Sequence, residues 1–280
     1  MTMRSVPVSW MFDWLENIAP SALTMPGDVS GFQIGNPEGD VKRVHIALDA
    51  SPAAIHAACD ADVDLLLTHH ALLYRPLHRI DTSTQRGQTL VRALASGLTI
   101  VNAHTNLDIA IGGVNDVLAS LFALRNVVGL DTSVLPAHRA GLVLDSRLGM
   151  GRIGYLAVPM TLAQFADDVR QRLGLPHIRY GGSASHAVQC VAVVGGSGGN
   201  LASLARQMGA DVLVTADCDH HDVADAWDYG LAIIDATHAA LEIPVLSTMA
   251  TRLTADLQAA GYVQVEVAVS PVVADPFTWL

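Results

Sequence analysis

The stretch VKRVHIALDASPAAIHAACDADVDLLLTHH, residues 41–70, indicates the fold class of this 280-residue chain. It reads as a strand, a helix and a second strand. The helix begins at Ser51 and Pro52, a common start signal, and the second strand is the nearly continuous apolar run before His69, as expected of a strand buried on both faces. Helix-like and strand-like segments alternate further along the chain. This rhythm predicts an α/β fold with several parallel neighbouring strands.

The same plan returns in the second half of the chain. Residues 188–217, VQCVAVVGGSGGNLASLARQMGADVLVTAD, align with residues 41–70 without a gap at a constant offset of 147. Each copy continues into a glycine-led apolar strand, GLTIVNAHTNLD from Gly97 and GLAIIDATHAALE from Gly230. We therefore predict a pseudo-repeat of two related α/β lobes, whose equivalent strand ends surround one shared cleft.

The segment between the two lobes is more mixed. It contains a hairpin-like stretch over residues 140–158 and an amphipathic helix for which Thr161 is placed as the N-cap. A strand-and-turn stretch follows. We predict a first α/β lobe over residues 1–125, a connector or small subdomain over 126–187, and a second α/β lobe over 188–280.

Composition argues against two classes of partner. The chain is 51% hydrophobic and only 15% charged, with a mean hydropathy of +0.36, which indicates extra buried surface, most simply at subunit interfaces. No stretch approaches the roughly 18 consecutive apolar residues that a membrane-spanning helix needs. The formal net charge is −11 and no block of Lys or Arg is present. Neither a membrane nor nucleic acid is therefore expected as a partner.

The first twenty residues and the cysteines bear on the cellular compartment. Asp13 and Glu16 lie within the first apolar stretch, which predicts an amphipathic helix and not a signal peptide. Cys59, Cys190 and Cys218 are odd in number and widely spaced, so no disulfide framework is expected. We expect a cytoplasmic protein.

Residues of the types that bind metals follow four predicted strands. Ligands of open α/β sheets gather in the crevice beyond the carboxyl ends of the strands, and residues four apart on a helix share one face. The four places hold His69 and His70; His104 and Asp108; Asp217, Asp219, His220 and His221; and His238 and Glu242.

Imidazoles and carboxylates without cysteine suit Zn, Fe, Mn, Co or Ni. Five or six ligands exceed what one tetrahedral site needs, so two metals are expected, with Asp108 or Glu242 as a bridging carboxylate. Two ions about 3.5–4 Å apart can activate a water molecule and stabilise a leaving oxygen. Taken singly, the residues have simpler explanations: His104 as a core histidine, Asp108 as a turn residue, and His238 with Glu242 as a solvated helix pair.

The glycine-rich loop Gly195–Gly199 has three interpretations. It reads as a tight turn between strand and helix, as a contact to a phosphate or substrate anion, or as a dinucleotide site, although Leu201 replaces a glycine that the dinucleotide pattern requires. Nucleophilic catalysis is not expected. No GxSxG elbow is present, and the carboxylates beside Cys218 would raise the pKa of its thiol.

Five ordered stretches resemble the NGG-interacting-factor-three-like family, whose bacterial members are often named GTP cyclohydrolase I type 2 homologues. The resemblance covers nearly the whole chain. It implies two interlinked α/β lobes around a shared metal cleft, a dinuclear metal centre and a toroidal homohexamer. The stretches are DVSGFQIG (28–35), LLLTHH (65–70), AHTNLDIAIGGVND (103–116), GADVLVTADCDHH (209–221) and IIDATHAALE (233–242).

The resemblance also implies a set of site residues. Glu242 would be the bridging carboxylate of the catalytic centre, and His104 either an extra ligand or a neighbour of the ligands. The chain departs from the family at Ala71, usually proline, and at Ala216, usually glycine, which alters the cleft wall. The implied metal ligands are His69, His70, Asp108, His238 and Glu242.

Residues and resemblance together predict a dinuclear metal-binding protein with two divalent ions per chain. The expected activity is that of a metal-dependent hydrolase acting on a small nucleotide-like or phosphorylated substrate. The alternative is a non-catalytic hexameric scaffold for metal handling or regulation.

Overall fold

The computed structural model describes residues 5–135, 145–272 and 275–278. Its strands are β1 (Val6–Pro7), β2 (Gly31–Ile34), β3 (Asp40–Val41), β4 (Arg43–Ala47), β5 (Leu65–Thr68), β6 (Thr99–Asn102), β7 (Arg125–Asp131), β8 (Met150–Thr161), β9 (Arg179–Gly181), β10 (Ala187–Ser197), β11 (Val212–Ala216), β12 (Ala232–Ala236) and β13 (Glu266–Val269). Its helices are α1 (Val8–Ile18), α2 (Pro52–Asp60), α3 (Gln85–Ala95), α4 (Thr105–Ile109), α5 (Val114–Leu121), α6 (Leu162–Arg172), α7 (Ala202–Gln207), α8 (His220–Asp228) and α9 (His238–Ala259).

The first of two compact units is built from Met1–Leu107 and Val245–Ala274. It contains the five-stranded sheet β13-β4-β5-β6-β2, in which β2 runs antiparallel to β6 and the other neighbours are parallel. The side chain of Ser51 accepts a hydrogen bond from the backbone N–H of Ala54 and so begins α2, as predicted. Ile55 of α2 and Ala93 of α3 pack with Leu66 of β5 in the core of this unit.

The second unit is built from Asp108–Pro244 and Asp275–Leu280. Its sheet has the order β7-β8-β10-β11-β12-β9. The neighbours β10, β11 and β12 are parallel, while β7, β8 and β9 pair antiparallel. Thr161 is the N-cap of α6, as predicted, and forms a capping box with Gln164.

Strand pairing reproduces the repeat seen in the sequence. Val44 of β4 pairs with Leu65 of β5, and Val191 of β10 pairs with Val212 of β11. Both partners of the second pair lie 147 residues after those of the first. In each sheet the next neighbour is again a parallel strand, β6 beside β5 and β12 beside β11. The α/β class and the pseudo-repeat are confirmed.

The sequence places boundaries after residues 125 and 187, and the two compact units divide the chain differently. Strand β8, in the predicted connector 126–187, pairs with both β7 and β10 and so belongs to the second sheet. Strand β13, in the predicted second lobe, pairs with β4 of the first unit. Pairing between strands distant in sequence decides these memberships, and local patterns do not encode it. Residues 140–144 of the predicted hairpin lie outside the described residues.

Within the described residues, none of the helices combines the length and the apolar character that a bilayer crossing requires.

Candidate metal centre

Three histidines meet at one edge of the first sheet. His69 and His70 follow β5, and His104 follows β6; the carboxyl ends of parallel neighbours lie at the same edge. One nitrogen of each ring lies within 4.8 Å of those of the other two. His69 is buried and the other two are half-buried. A group of three imidazoles this close together can hold a divalent metal ion.

Each of these rings is held at its Nδ1 atom by an oxygen. A carbonyl or carboxylate oxygen only accepts, so Nδ1 is the donor of each ring. In the neutral ring Nε2 is then the nitrogen that can bind a metal ion. His69 donates to the carbonyl of Ala103 at 2.8 Å, His70 to Oδ1 of Asp49 at 2.8 Å, and His104 to Oδ1 of Asp28 at 2.6 Å.

Asp28 remains ionised beside His104. Burial raises the pKa of its carboxyl, but hydrogen bonds from His104 and Thr105 outweigh burial and bring the pKa down to about 2. The second carboxylate oxygen accepts from the backbone N–H of Thr105 at 3.2 Å. Asp28 thereby fixes both the ring of His104 and the start of α4.

In the second unit, His238 and Glu242 lie one turn apart at the start of α9. His238 Nε2 is 3.1 Å from Oε1 of Glu242, and His238 Nδ1 is 2.7 Å from Oδ2 of Asp217. The hydrogen bond to Glu242, opposed by burial and assisted by Asp217, raises the pKa of His238 to about 9. Because two carboxylates surround one imidazole, this group favours a positive charge, whether a proton or a metal ion at Nε2.

Gly196 of the glycine-rich loop makes room for this pair. Its φ is +65°, and a Cβ added there would lie 2.5 Å from Oε1 of Glu242 and 3.0 Å from Nε2 of His238. A Cβ at Gly198 would lie 2.5 Å from Cγ1 of Val194. Close packing at these two positions favours the tight-turn interpretation of the loop.

The remaining predicted site residues fall into two groups. Asp108 lies in α4, four residues after His104, and is 6% exposed; its role as a ligand stays a prediction. Asp219, His220 and His221 instead form the start of α8. Asp219 is the N-cap and accepts hydrogen bonds from the N–H groups of His221 and Asp222, and all three predicted residues are exposed.

The pKa of the Cys218 thiol is raised, in the direction that the sequence predicts. Burial, together with the nearby carboxylates of Asp235 and Asp222, raises the pKa of its thiol to about 12. The thiolate is therefore scarce at neutral pH.

The side chains present fit a divalent metal ion. Both groups offer imidazole nitrogens or carboxylate oxygens without cysteine, a donor set that suits Zn, Fe, Mn, Co or Ni. The oxygens at Nδ1 orient the rings as in known metal sites. Sequence patterns assigned no role to Asp28 or Asp49 and marked Asp217 only as a residue of a metal-binding type. These three aspartates supply three of the oxygens at Nδ1.

The fold and these clusters define a mixed α/β protein whose histidine and glutamate groups could hold a metal ion. The chain belongs to the Duf34/NIF3 (NGG1p interacting factor 3) family, whose profile matches residues 6–276, and the resemblance found in the sequence is confirmed. A GTP cyclohydrolase 1 type 2 homolog of Streptomyces coelicolor is 33% identical over 94% of this chain and 91% of its own length. One of Clostridium perfringens is 31% identical over 95% and 97%. The crystal structure of a Bacillus cereus protein related to NIF3 superposes with a TM-score of 0.88 at 26% identity, covering 100% of both chains.

Proposed function

We propose that this protein binds two divalent metal ions per chain and acts as a metal-dependent hydrolase on a small nucleotide-like or phosphorylated substrate. The observation that carries the proposal is the oxygen atom at Nδ1 of each histidine in the candidate centre, because this arrangement presents Nε2 to a metal ion. Glu242 is the proposed bridging carboxylate. The proposed ligands are His69, His70, Asp108, His238 and Glu242.

The residues of the chain have distinct parts in this proposal. The bound ions supply Lewis acidity. Asp28 and Asp49 keep His104 and His70 in the tautomer that offers Nε2. His104 serves as an extra ligand or stands beside the ligands, where its partly exposed ring can contact substrate. The names of the relatives, GTP cyclohydrolase 1 type 2 homolog, support a nucleotide-like substrate.

Metal content tests the first half of the proposal. Protein purified without chelator and reconstituted with Fe, Mn or Zn is expected to hold two ions per chain, measured by mass spectrometry of the metals. Glu242→Gln is expected to lose at least one of them, because the bridging carboxylate is gone. Glu38→Gln, an exposed glutamate of the first unit, is the matched control and should retain both. Less than one ion per chain in the reconstituted parent protein contradicts the proposal.

Turnover tests the second half. The metal-loaded protein is assayed against nucleotides and phosphoesters, and activity is expected to disappear in Glu242→Gln but not in Glu38→Gln. Clean inactivity of fully loaded protein across the panel contradicts the hydrolase and favours the non-catalytic scaffold.

We further propose a cytoplasmic homohexamer with no membrane or nucleic-acid partner. The high apolar and low charged content supports an assembly. Exposed apolar side chains such as Val158, at 68% exposure, and Phe277, at 70%, also support it.

A further inference from the structure

Arg179 is anchored by a buried carboxylate yet open to solvent. Strand β9 pairs antiparallel with β12, so Arg179 stands directly opposite Asp235. Arg179 Nε donates to Oδ2 of Asp235 at 3.0 Å, and Nη2 donates to the carbonyl of Cys218 at 3.2 Å. The Asp235 side chain is 6% exposed, whereas that of Arg179 is 73% exposed. The guanidinium is therefore fixed on one side while the rest of it faces solvent.

Two clefts of the second unit share this arginine. One cleft, of about 330 Å³, is also lined by His238, a candidate ligand, and by Asp217, the hydrogen-bond partner of His238. The other, of about 420 Å³, is lined by Tyr180, Val223 and Trp227 among other residues and is called the aromatic cleft below. A group bound by Arg179 therefore adjoins both the aromatic cleft and His238.

Both aromatic walls are accessible, and Trp227 is held in place by its neighbours. Tyr180 is 39% exposed and Trp227 is 37% exposed. The indole of Trp227 packs edge-on against His186 with ring centroids 5.5 Å apart. A Cβ at Gly182 would lie 3.0 Å from the same indole, so the bare glycine lets the ring lie against the end of β9. Fixed aromatic side chains that reach solvent are suited to stacking with a planar ring.

We propose that the aromatic cleft binds a planar aromatic ring and that Arg179 binds an anionic group attached to it. Guanidinium N–H groups pair well with phosphate or carboxylate oxygens. A ligand with both parts is an aromatic heterocycle that carries a phosphate, as in a nucleoside monophosphate. The inference rests on the proposed function, because it makes this phosphate the part of the substrate nearest to His238.

Calorimetric titration with three probes tests each half of the cleft separately. Adenosine monophosphate has both parts, adenosine lacks the phosphate, and ribose 5-phosphate lacks the ring. In the metal-loaded protein the first is expected to bind most tightly. Trp227→Leu should weaken the binding of adenosine monophosphate and of adenosine by about tenfold or more but leave the binding of ribose 5-phosphate unchanged. Arg179→Gln should weaken the binding of both phosphorylated probes by about tenfold and leave the binding of adenosine unchanged.

Two substitutions in the first unit serve as controls. Trp10→Leu and Arg86→Gln should leave all three affinities as they are. Trp227→Phe keeps a stacking ring and should bind adenosine monophosphate within a few-fold of the parent, so it replaces Trp227→Leu if the latter melts early by circular dichroism. The inference is overturned if no probe binds in the millimolar range, or if binding is insensitive to both Trp227 and Arg179.

Metal content of the same samples separates this inference from the proposed function. Two ions per chain with no binding of the probes overturns the aromatic subsite and leaves the metal centre standing. Binding of the probes with less than one ion per chain overturns the metal centre and supports the subsite.

Discussion

A carboxylate that accepts a hydrogen bond from Nδ1 of an imidazole increases the electron density at Nε2. In this protein Asp49 does so for His70 and Asp28 for His104, across 2.8 Å and 2.6 Å. Such partners hold the ring in one orientation and raise its basicity, and removing them typically costs about 10–100-fold in metal affinity. Metal binding at the candidate centre is therefore expected to depend on the two carboxylates that hold these rings.

Asp49→Ala tests this dependence. The substitution removes the acceptor of the His70 Nδ1 proton, so the affinity for Zn is expected to fall about 10–100-fold, measured by competition with a chromophoric chelator. Asp13→Ala, an exposed aspartate on α1, is the control and should leave the affinity unchanged. An equal affinity in Asp49→Ala and the parent would show that the carboxylate does not support the metal.

Gly196→Ala tests the space beside Glu242 and His238. The added Cβ would crowd Glu242 Oε1 at 2.5 Å, so metal binding should fall. Gly174→Ala is the matched control, because Gly174 has φ +68° but no atom within 4 Å of an added Cβ. Both should lose about 1–2 kcal/mol of stability from left-handed backbone strain, and only Gly196→Ala should lose metal. Equal metal content in the two variants would contradict the packing argument.

Residue type alone predicted part of the candidate site. His69, His70, His238 and Glu242 were singled out because such residues follow buried strands, and their roles as ligands stay predictions. The pairing of histidines with carboxylates was not predicted, because the contacts are made by folding: Asp28 and His104 are 76 positions apart, and Asp217 and His238 are 21 apart. His220 and His221 are residues of a metal-binding type that also follow a strand, and they form the first turn of a helix that Asp219 caps.

At the scale of elements, the side chain of Arg152 connects β8 to α5 by an ion pair with Asp116. The side chain is fully buried and donates to the carbonyls of Gly149 and Ala110 at 2.8 and 2.9 Å. Its Nε donates to Oδ1 of Asp116 at 2.5 Å. A buried guanidinium requires such partners, since an uncompensated charge away from water is costly.

Asp116→Asn is expected to destabilise the protein by about 3–5 kcal/mol, because it leaves a buried guanidinium without a counter-charge. The midpoint of urea unfolding measures the effect. Asp167→Asn removes the partner of Arg170 in an exposed ion pair on α6 and should cost at most about 1 kcal/mol. Similar midpoints for the two variants would mean that Asp116 does not compensate the charge of Arg152.

The residues at which helices begin were easier to predict than the order of the strands in each sheet. Ser51 and Thr161 act on N–H groups three residues away, and that distance is readable in sequence. The order of strands depends on pairings such as Arg43 with Glu266, which only the folded chain defines. The segment 126–187 consequently reads as a connector although β8 lies inside a six-stranded sheet.

At the scale of the whole molecule, the low charge content leads to a prediction about assembly. Light scattering coupled to size-exclusion chromatography is expected to give the mass of six 29.5-kDa chains at micromolar concentration. The number six is what the family resemblance implies, and the surplus of apolar residues supports buried interfaces between chains. A monomeric mass under the same conditions would contradict the homohexamer. The metal content of the eluted peak is measured in parallel, so loss of assembly is distinguished from loss of metal.

Strand β13 also has a consequence for the order in which the protein can fold during synthesis. Its partner β4 leaves the ribosome more than two hundred residues earlier, since Glu266 pairs with Arg43. Closing so long a loop is entropically costly and slows folding. Until β13 emerges, one flank of β4 has its backbone N–H and C=O groups open to pairing with other nascent chains. The β4 edge is therefore expected to be open to such pairing until Glu266 has been synthesised.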